Sequence, residues 1–538
     1  MEDDNYAALF NALMCPANTR NARMIRLAAV AVAIYDVVGG FKSDCSASKV
    51  YAATISALEG TLQSDAQDYS SSLHELQDSL STQVALLEIF RVTIPFVSNQ
   101  GVVDASLALS SRVLRGVLLS SLKLDTTEIQ EQLDSNDEVG GINAVLRALC
   151  KACTELLKQL TSKADGTLVK HCFGGTLMAL LEDRRPKVRK AAQNAIAEVL
   201  VHSSKHGNPI IVKSINSLFR HQLRSSFKKV NQGEDPNTKL LHLLSFLEST
   251  MSHLDISYLG TAMMELFAAL LKLKSYTDQS DFVAIKPDSN NCEPKIFAIN
   301  ALLSAIKKSL EGISEKQEKS TDALCSRVLA TMLQNKPNLV FQEGSADMHT
   351  LHRGRTLYGS VVISSCDRVI VADPVLACKL LPVSVQMIVQ LCRVDGEEID
   401  LDMVEPLLTE LVALFRCSVP RLLLLCPPSD GNTCTRNTMK ALEQVLLPSF
   451  QATWSVSLKA LVIFLQLVDE NEVPNVVEKL LKLHSKSGSD ATAQRSVEAA
   501  VGSLIEAVGV EIFWNWVNWT SLDEGKDKCG KYPIRGLG

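Results

Sequence analysis

Two groups of residues in this chain have types and spacings that could do chemistry. Cys150 and Cys153 form a C-x-x-C with His171 and Cys172 downstream, a set whose sulfur and imidazole atoms could hold zinc. The surrounding ALCKACTELL is helical in pattern, and cysteines three apart on an apolar helix face more often pack a core, so no metal is expected. There is no glycine-rich phosphate loop, no HExxH, no GxSxG and no second metal-ligand pair. The histidines, His202 and His206 among them, lie mostly in polar breaks without an acid or nucleophile at a motif-defining spacing. Neither an enzyme nor a cofactor is expected.

The second group is cationic. The stretch LLEDRRPKVRKAAQNAIAEVL gathers Arg184, Arg185, Lys187, Arg189 and Lys190 around Pro186, in a chain of formal net charge -6. Positive charge in a helix's first turn opposes the macrodipole at a cost on the order of 0.3 to 1 kcal/mol per residue, so stability alone does not select it. The outward N–H groups of that same turn suit an anion such as phosphate. In NPIIVKSINSLFRHQLRSSFKKV, the next helical stretch, Ile211, Ile215, Leu218 and Phe219 share one face, and Lys213, Arg220, Arg224 and Lys228 share the opposite one. From Arg184 to Lys229 eleven cations face one acid, Glu198, a local charge of +10. A solvated helix surface normally mixes signs, because opposite charges at i,i+4 stabilise a helix and like charges destabilise it. The expected ligand is therefore RNA phosphate or an acidic protein tail. No aromatic residues interleave the stripe, so base-specific reading is not implied.

The elements that must position these cations are helices. Almost every periodic segment has helical spacing, is about one helix long and ends in a short polar break such as NQGEDPN or PPSDGNTC. GSVVISSCDRVIVAD (359 to 373) is rich enough in β-branched residues to resemble strands, but no strand partners are evident, and Asp373 and Pro374 signal a helix start just after it. In the basic stretch Leu177, Leu180 and Leu181 end one apolar helix. Asp183 then opens a turn, Pro186 occupies a first-turn position that needs no N–H, and Val188, Ala192, Ala195, Ile196 and Val199 form the apolar face of a second helix.

Asp183, Pro186, Val188 and Arg189 resemble the turn of a HEAT repeat. That resemblance implies that the aspartate and the arginine six positions later bond along the stack between neighbouring turns. The expected fold is all-α, a HEAT/armadillo-type helical-repeat superhelix (α-solenoid). Soft boundaries near 124 to 141 and 275 to 295 suggest amino-terminal repeats over 1–135, HEAT repeats with a basic surface over 136–280, and further repeats over 281–538.

The segment Leu446 to Trp514 resembles the conserved central region of the ribosomal-RNA-processing protein 12-like family, and Arg185 to Gln193 resembles that family's early repeat. The resemblance implies a non-enzymatic nuclear and nucleolar assembly factor, able to shuttle to the cytoplasm. Its implied partners are preribosomal particles, pre-rRNA and ribosome assembly or nuclear export proteins. It also implies further helices past KYPIRGLG, as if this chain were part of a longer protein. An importin-like transport receptor, or another HEAT-repeat scaffold, is the alternative. It would require acidic inner helices across many repeats, whereas the clear single-sign face here is basic.

Composition agrees with a folded, non-membrane chain of 538 residues, 46% hydrophobic and 21% charged. No run of 18 uninterrupted apolar residues is present, and the acidic MEDD start is unlike a secretory signal. Fourteen cysteines scattered singly through apolar stretches suit a reducing compartment. Phe513, Trp514, Trp516 and Trp519 are expected to plug the last hairpin.

Overall fold

The computed structural model describes residues 2–15, 21–39, 46–65, 73–97, 100–124, 141–159, 169–205, 209–273, 294–311, 318–334, 348–393, 401–468, 473–486 and 490–517. Every regular element among the described residues is helical. The chain falls into two compact units, Met1–Gln222 with His253–Asp255, and Leu223–Ser252 with Ile256–Gly538.

In the first unit the helices are α1 (Glu2–Met14), α2 (Ala22–Val38), α3 (Ala47–Asp65), α4 (Leu73–Thr93), α5 (Gln100–Leu124), α6 (Ile142–Lys158), α7 and α8 (Pro186–Lys205). α7 enters as π-helix over Lys170–Leu177 and continues as α-helix over Met178–Leu181. Successive helices pair as hairpins, and the hairpins stack in two rows. α2 packs on α4, α4 on α6 and α6 on α8, while α3 packs on α5 and α5 on α7. This is the alternation expected of HEAT-type repeats, in which each hairpin buries its apolar faces against the next. Glu88 on α4 ties one row together: its carboxylate meets Arg23 of α2 at 3.0 Å, Arg91 at 2.8 Å and Lys151 of α6 at 3.7 Å. Burial acts to raise the Glu88 pKa, but these three cations outweigh it and hold the carboxyl below its ordinary value.

Helix α9 (Pro209–Asn231) runs on from α8, and the division between the units falls inside it, between Gln222 and Leu223. The boundaries expected at 124 to 141 and 275 to 295 lie almost wholly outside the described residues.

The second unit continues with α10 (Thr238–Thr250), α11 (Ile256–Lys272), α12 (Pro294–Glu311), α13 (Glu318–Gln334), α14 (Met348–Ala372), α15 (Pro374–Leu391), α16 (Leu401–Cys417), α17 (Val419–Leu425), α18 (Pro428–Leu442), α19 (Trp454–Leu465), α20 (Val473–Lys486), α21 (Ala491–Val508) and α22 (Val510–Trp516). Two rows recur. α10, α12, α14, α16, α19 and α21 pack in that order, and beside them α11 packs on α13, and α15 on both α13 and α18.

Local sequence explains where the helices start. Five begin on proline, at Pro186, Pro209, Pro294, Pro374 and Pro428, where the missing N–H would have had no partner. Asp373 caps α15 by accepting the Leu376 N–H at 3.0 Å, and Asp490 caps α21 by accepting the N–H groups of Thr492 and Ala493. The β-branched stretch is helical from 359 to 372, forming most of α14, because its apolar residues pack against α12 and α16 at helical spacing. α15 has the length and hydropathy to cross a membrane, yet half of it is buried against its neighbours, as a packed helix of the repeat requires.

Glycine seats recur along the rows. A Cβ at Gly116 of α5 would stand 2.7 Å from Leu62 Cδ1 of α3, and one at Gly260 of α11 would stand 2.6 Å from Leu324 Cδ2 of α13. The missing side chain allows the facing leucine to lie directly on the helix backbone.

Candidate basic interface

The turn before α8 uses two of its five cations to hold itself together. Asp183 and Arg185 are both buried, at 7% and 8% exposure. One carboxylate oxygen of Asp183 accepts the Arg185 backbone N–H at 2.9 Å and its Nε–H at 2.9 Å, and the other accepts from Nη2 at 2.8 Å. Arg189 donates from Nη1 to the carbonyls of Asp183 at 2.9 Å and Arg184 at 2.7 Å. These carbonyls precede the first helical turn, where the backbone offers few donors of its own.

Two expectations are corrected here. Arg185 was expected on the binding face, but its guanidinium is consumed by Asp183 inside the turn and has no outward surface to offer. Asp183 and Arg189 were expected to bond along the stack. Instead, Asp183 pairs with Arg185 and Arg189 closes the same turn through carbonyl oxygens, because an arginine two residues on reaches the aspartate more directly than one six residues on.

Pro186 opens α8, and Val188, Ala192, Ala195, Ile196 and Val199 are all buried as its apolar face. That orientation leaves Arg184, Lys187 and Lys190 exposed. On α9, Ile211, Ile215, Phe219 and Leu223 are buried, with Leu218 half-buried. Phe219 meets Phe173 of α7 edge-on at 6.1 Å, and buried Asn216 accepts the Asp255 N–H at 3.3 Å, so the rotation of α9 is fixed within the first unit. Lys213, Arg224 and Lys228 are exposed and Arg220 is half-buried, on a stripe that also carries Ser217 and His221. Lys190, Lys213, Arg224 and Lys228 meet no carboxylate among the described residues.

Glu198, the one acid between Arg184 and Lys229, is bonded to Lys158 of α6, which also holds Glu155 at 3.1 Å. Burial would lower the Lys158 pKa, but the two carboxylates outweigh it and keep the ammonium charged above its ordinary range. The charge that could have offset the stripe is therefore already neutralised by the preceding hairpin. Nothing in the spacing of Lys158 and Glu198, forty positions apart, signals that pairing.

The cysteine group takes the core reading. Cys150 and Cys153 are fully buried and Cys172 nearly so, while the His171 side chain lies outside the described residues. Burial, with Asp183 nearby, pushes the Cys150 thiol up to about 12, and burial pushes Cys172 to about 12. Thiols held protonated in this way are poor ligands and nucleophiles. At the carboxyl end Phe513 and Val517 are buried, but Trp514 is 55% exposed and Trp516 half-buried. The expected aromatic plug thus rests on Phe513 rather than on the tryptophans; Trp519 lies outside the described residues.

The comparisons with known proteins fit this arrangement. Residues 17–277 match the family described as RRP12-like, N-terminal HEAT repeats. Over these residues the chain is similar to that family. The RRP12-like repeats take in the whole of the basic turn and of α9, while the Leu446 to Trp514 segment lies outside the matched residues. No curated protein matches the chain.

Among solved structures, Kap121p bound to Pho4p is similar over 97% of this chain and 47% of its own, at 12% identity and a TM-score of 0.38. A circular tandem repeat protein with novel repeat topology is similar over 97% and 99%, at 14% identity and a TM-score of 0.25. Lph2, a bidirectional nuclear transport receptor of S. cerevisiae, is similar over 94% and 60%, at 13% identity and a TM-score of 0.22. With TM-scores this low, none of these bears on what the RRP12-like repeats bind.

Proposed function

We propose that this chain is a non-enzymatic HEAT-repeat scaffold of ribosome biogenesis, working in the nucleus and nucleolus on small-subunit precursor particles and their export. In this reading the exposed cations of the turn before α8 and of α9 contact the phosphates of pre-rRNA. The observation that carries it is a cationic helix stripe within repeats that match the RRP12-like family, with Glu198, the one acid between Arg184 and Lys229, already bound to Lys158. Phosphate contacts position a protein on RNA without reading sequence, which suits a stripe lacking stacking aromatics. The buried thiols and the missing catalytic motifs favour a scaffold over an enzyme.

The test compares the full chain with Lys213→Glu/Arg224→Glu/Lys228→Glu. Both are crosslinked to RNA in cells, and their sedimentation with preribosomal particles is measured. The triple variant is expected to lose RNA crosslinks while its helical content stays unchanged. Undiminished crosslinking and particle association would remove RNA from the proposal, and loss of particle association with RNA crosslinks retained would point to an acidic protein partner.

A further inference from the structure

Three cysteines distant in sequence converge where α15 meets α17 and α18. Cys378 lies on α15, Cys426 is the residue that ends α17, and Cys434 lies in the second turn of α18. The sulfurs of Cys378 and Cys426 are 2.8 Å apart, and the Cys434 thiol lies within hydrogen-bonding reach of Cys378. Among the described residues no group of three histidine, cysteine or acidic side chains has an arrangement able to hold a metal ion, which leaves thiol chemistry as what this cluster can do.

We propose that Cys378 and Cys426 form a modification site, an oxidisable pair that hydrogen peroxide converts into an intramolecular disulfide. Three observations carry this. The sulfurs are already within about 0.8 Å of the roughly 2 Å bond length, so little movement is required. Cys426 stands where α17 ends, its backbone extended with ψ 153 while its N–H still closes the helix on the Leu422 carbonyl at 3.0 Å, so its sulfur, now donating to the Pro374 carbonyl at 3.2 Å, closes the gap by side-chain rotation alone. Cys378 and Cys434 line a groove of about 620 Å3 with Val375, Lys379, Pro382 and Asn437, wide enough to admit a small peroxide.

The chemistry balances in two steps. The Cys378 sulfur, which lines the groove, attacks one oxygen of hydrogen peroxide, the O–O bond breaks, Cys378 keeps that oxygen as a sulfenic acid, and the departing hydroxyl takes the thiol proton as one water. Cys426 sulfur, 2.8 Å away, then attacks the sulfenic sulfur, the S–O bond breaks, and the departing hydroxyl takes the Cys426 proton as a second water. Two thiols are oxidised by two electrons, and one peroxide is reduced to two waters.

The experiment uses the reduced full chain, treated with hydrogen peroxide and mapped by mass spectrometry without reduction. Cleavage at Asp430 separates Cys426 from Cys434, and the exposed Cys15 and Cys417 serve as internal controls. The expected product is a crosslinked peptide pair containing Cys378 and Cys426, absent in Cys426→Ser and kept in Cys434→Ser. Oxidation of Cys15 and Cys417 with Cys378 and Cys426 still reduced would overturn the proposal. So would a dominant Cys378 to Cys434 link. The wild-type map alone decides the question if a variant fails to fold.

Discussion

Gly359 of α14 faces Leu407 of α16 so closely that a Cβ on the glycine would stand 2.5 Å from Leu407 Cδ1, 2.7 Å from Cδ2 and 3.2 Å from Cγ. The whole isobutyl group, not one methyl, fills the space a side chain would need, and Leu407 is buried. Leu324 fills the same seat at Gly260, and one methyl of Leu62 comes as close at Gly116, so the glycine seat is a packing device of the repeat rather than a local accident.

Gly359→Ala is therefore expected to lower stability. Overpacking costs about 1–3 kcal/mol, and the better helix propensity of alanine returns only about 1 kcal/mol. In a Leu407→Ala background the clash is gone, and Gly359→Ala should become stabilising. Denaturant midpoints of the four chains form the cycle. A neutral or stabilising Gly359→Ala in the wild-type background would show that the helices move apart without penalty.

Arg184 and Arg185 should separate cleanly. Removing one partner of a buried pair leaves a charge uncompensated, so Arg185→Ala is expected to lose roughly 3–5 kcal/mol. Arg184→Ala, at an exposed position, should stay within about 0.5 kcal/mol. Thermal melts of the two variants check this, and equal losses would contradict the turn as described.

Acid should loosen the first unit through Glu88. Its folded pKa lies below the ordinary 4.5, so its stabilisation is fully present above that value and is lost as pH falls through the folded pKa. Glu88→Gln should lose roughly 1.5–3 kcal/mol at neutral pH, and its stability should fall less steeply below pH 4.5 than that of the wild type. Identical acid titrations would show that Arg23, Arg91 and Lys151 add nothing in the folded state.

Salt should govern RNA binding. If Arg184, Lys187, Lys190, Lys213, Arg224 and Lys228 all meet phosphates of a single strand, the log–log slope is about -4, or roughly 250-fold weaker binding between 50 and 200 mM salt. Lys213→Gln/Arg224→Gln/Lys228→Gln should bring that slope to about -2. Filter binding or anisotropy at several salt concentrations measures it, and a flat dependence would mean that phosphates are not the ligand.

Much of the architecture was legible because its causes are local. Proline starts, the Asp373 cap and the apolar face from Val188 to Val199 each depend on residues within a few turns of one another. Arg184 and Arg185 show where that legibility ends. They are chemically identical neighbours, and only the direction of the turn around Asp183 decides which is buried. The thiols of Cys378 and Cys426, and the pair Lys158 and Glu198, come together through stacking of separate hairpins, which no spacing along the chain encodes. Trp514 misled for a related reason: aromatic content signals burial on average, but a short terminal helix buries only one of its faces.

The bond between Lys158 and Glu198 places a control point away from the surface it influences. Acetylating Lys158 would neutralise the ammonium, release the Glu198 carboxylate from its partner and return a negative charge to the field of α8. A lysine that touches no ligand could in this way act as a dimmer for every cation of that hairpin at once.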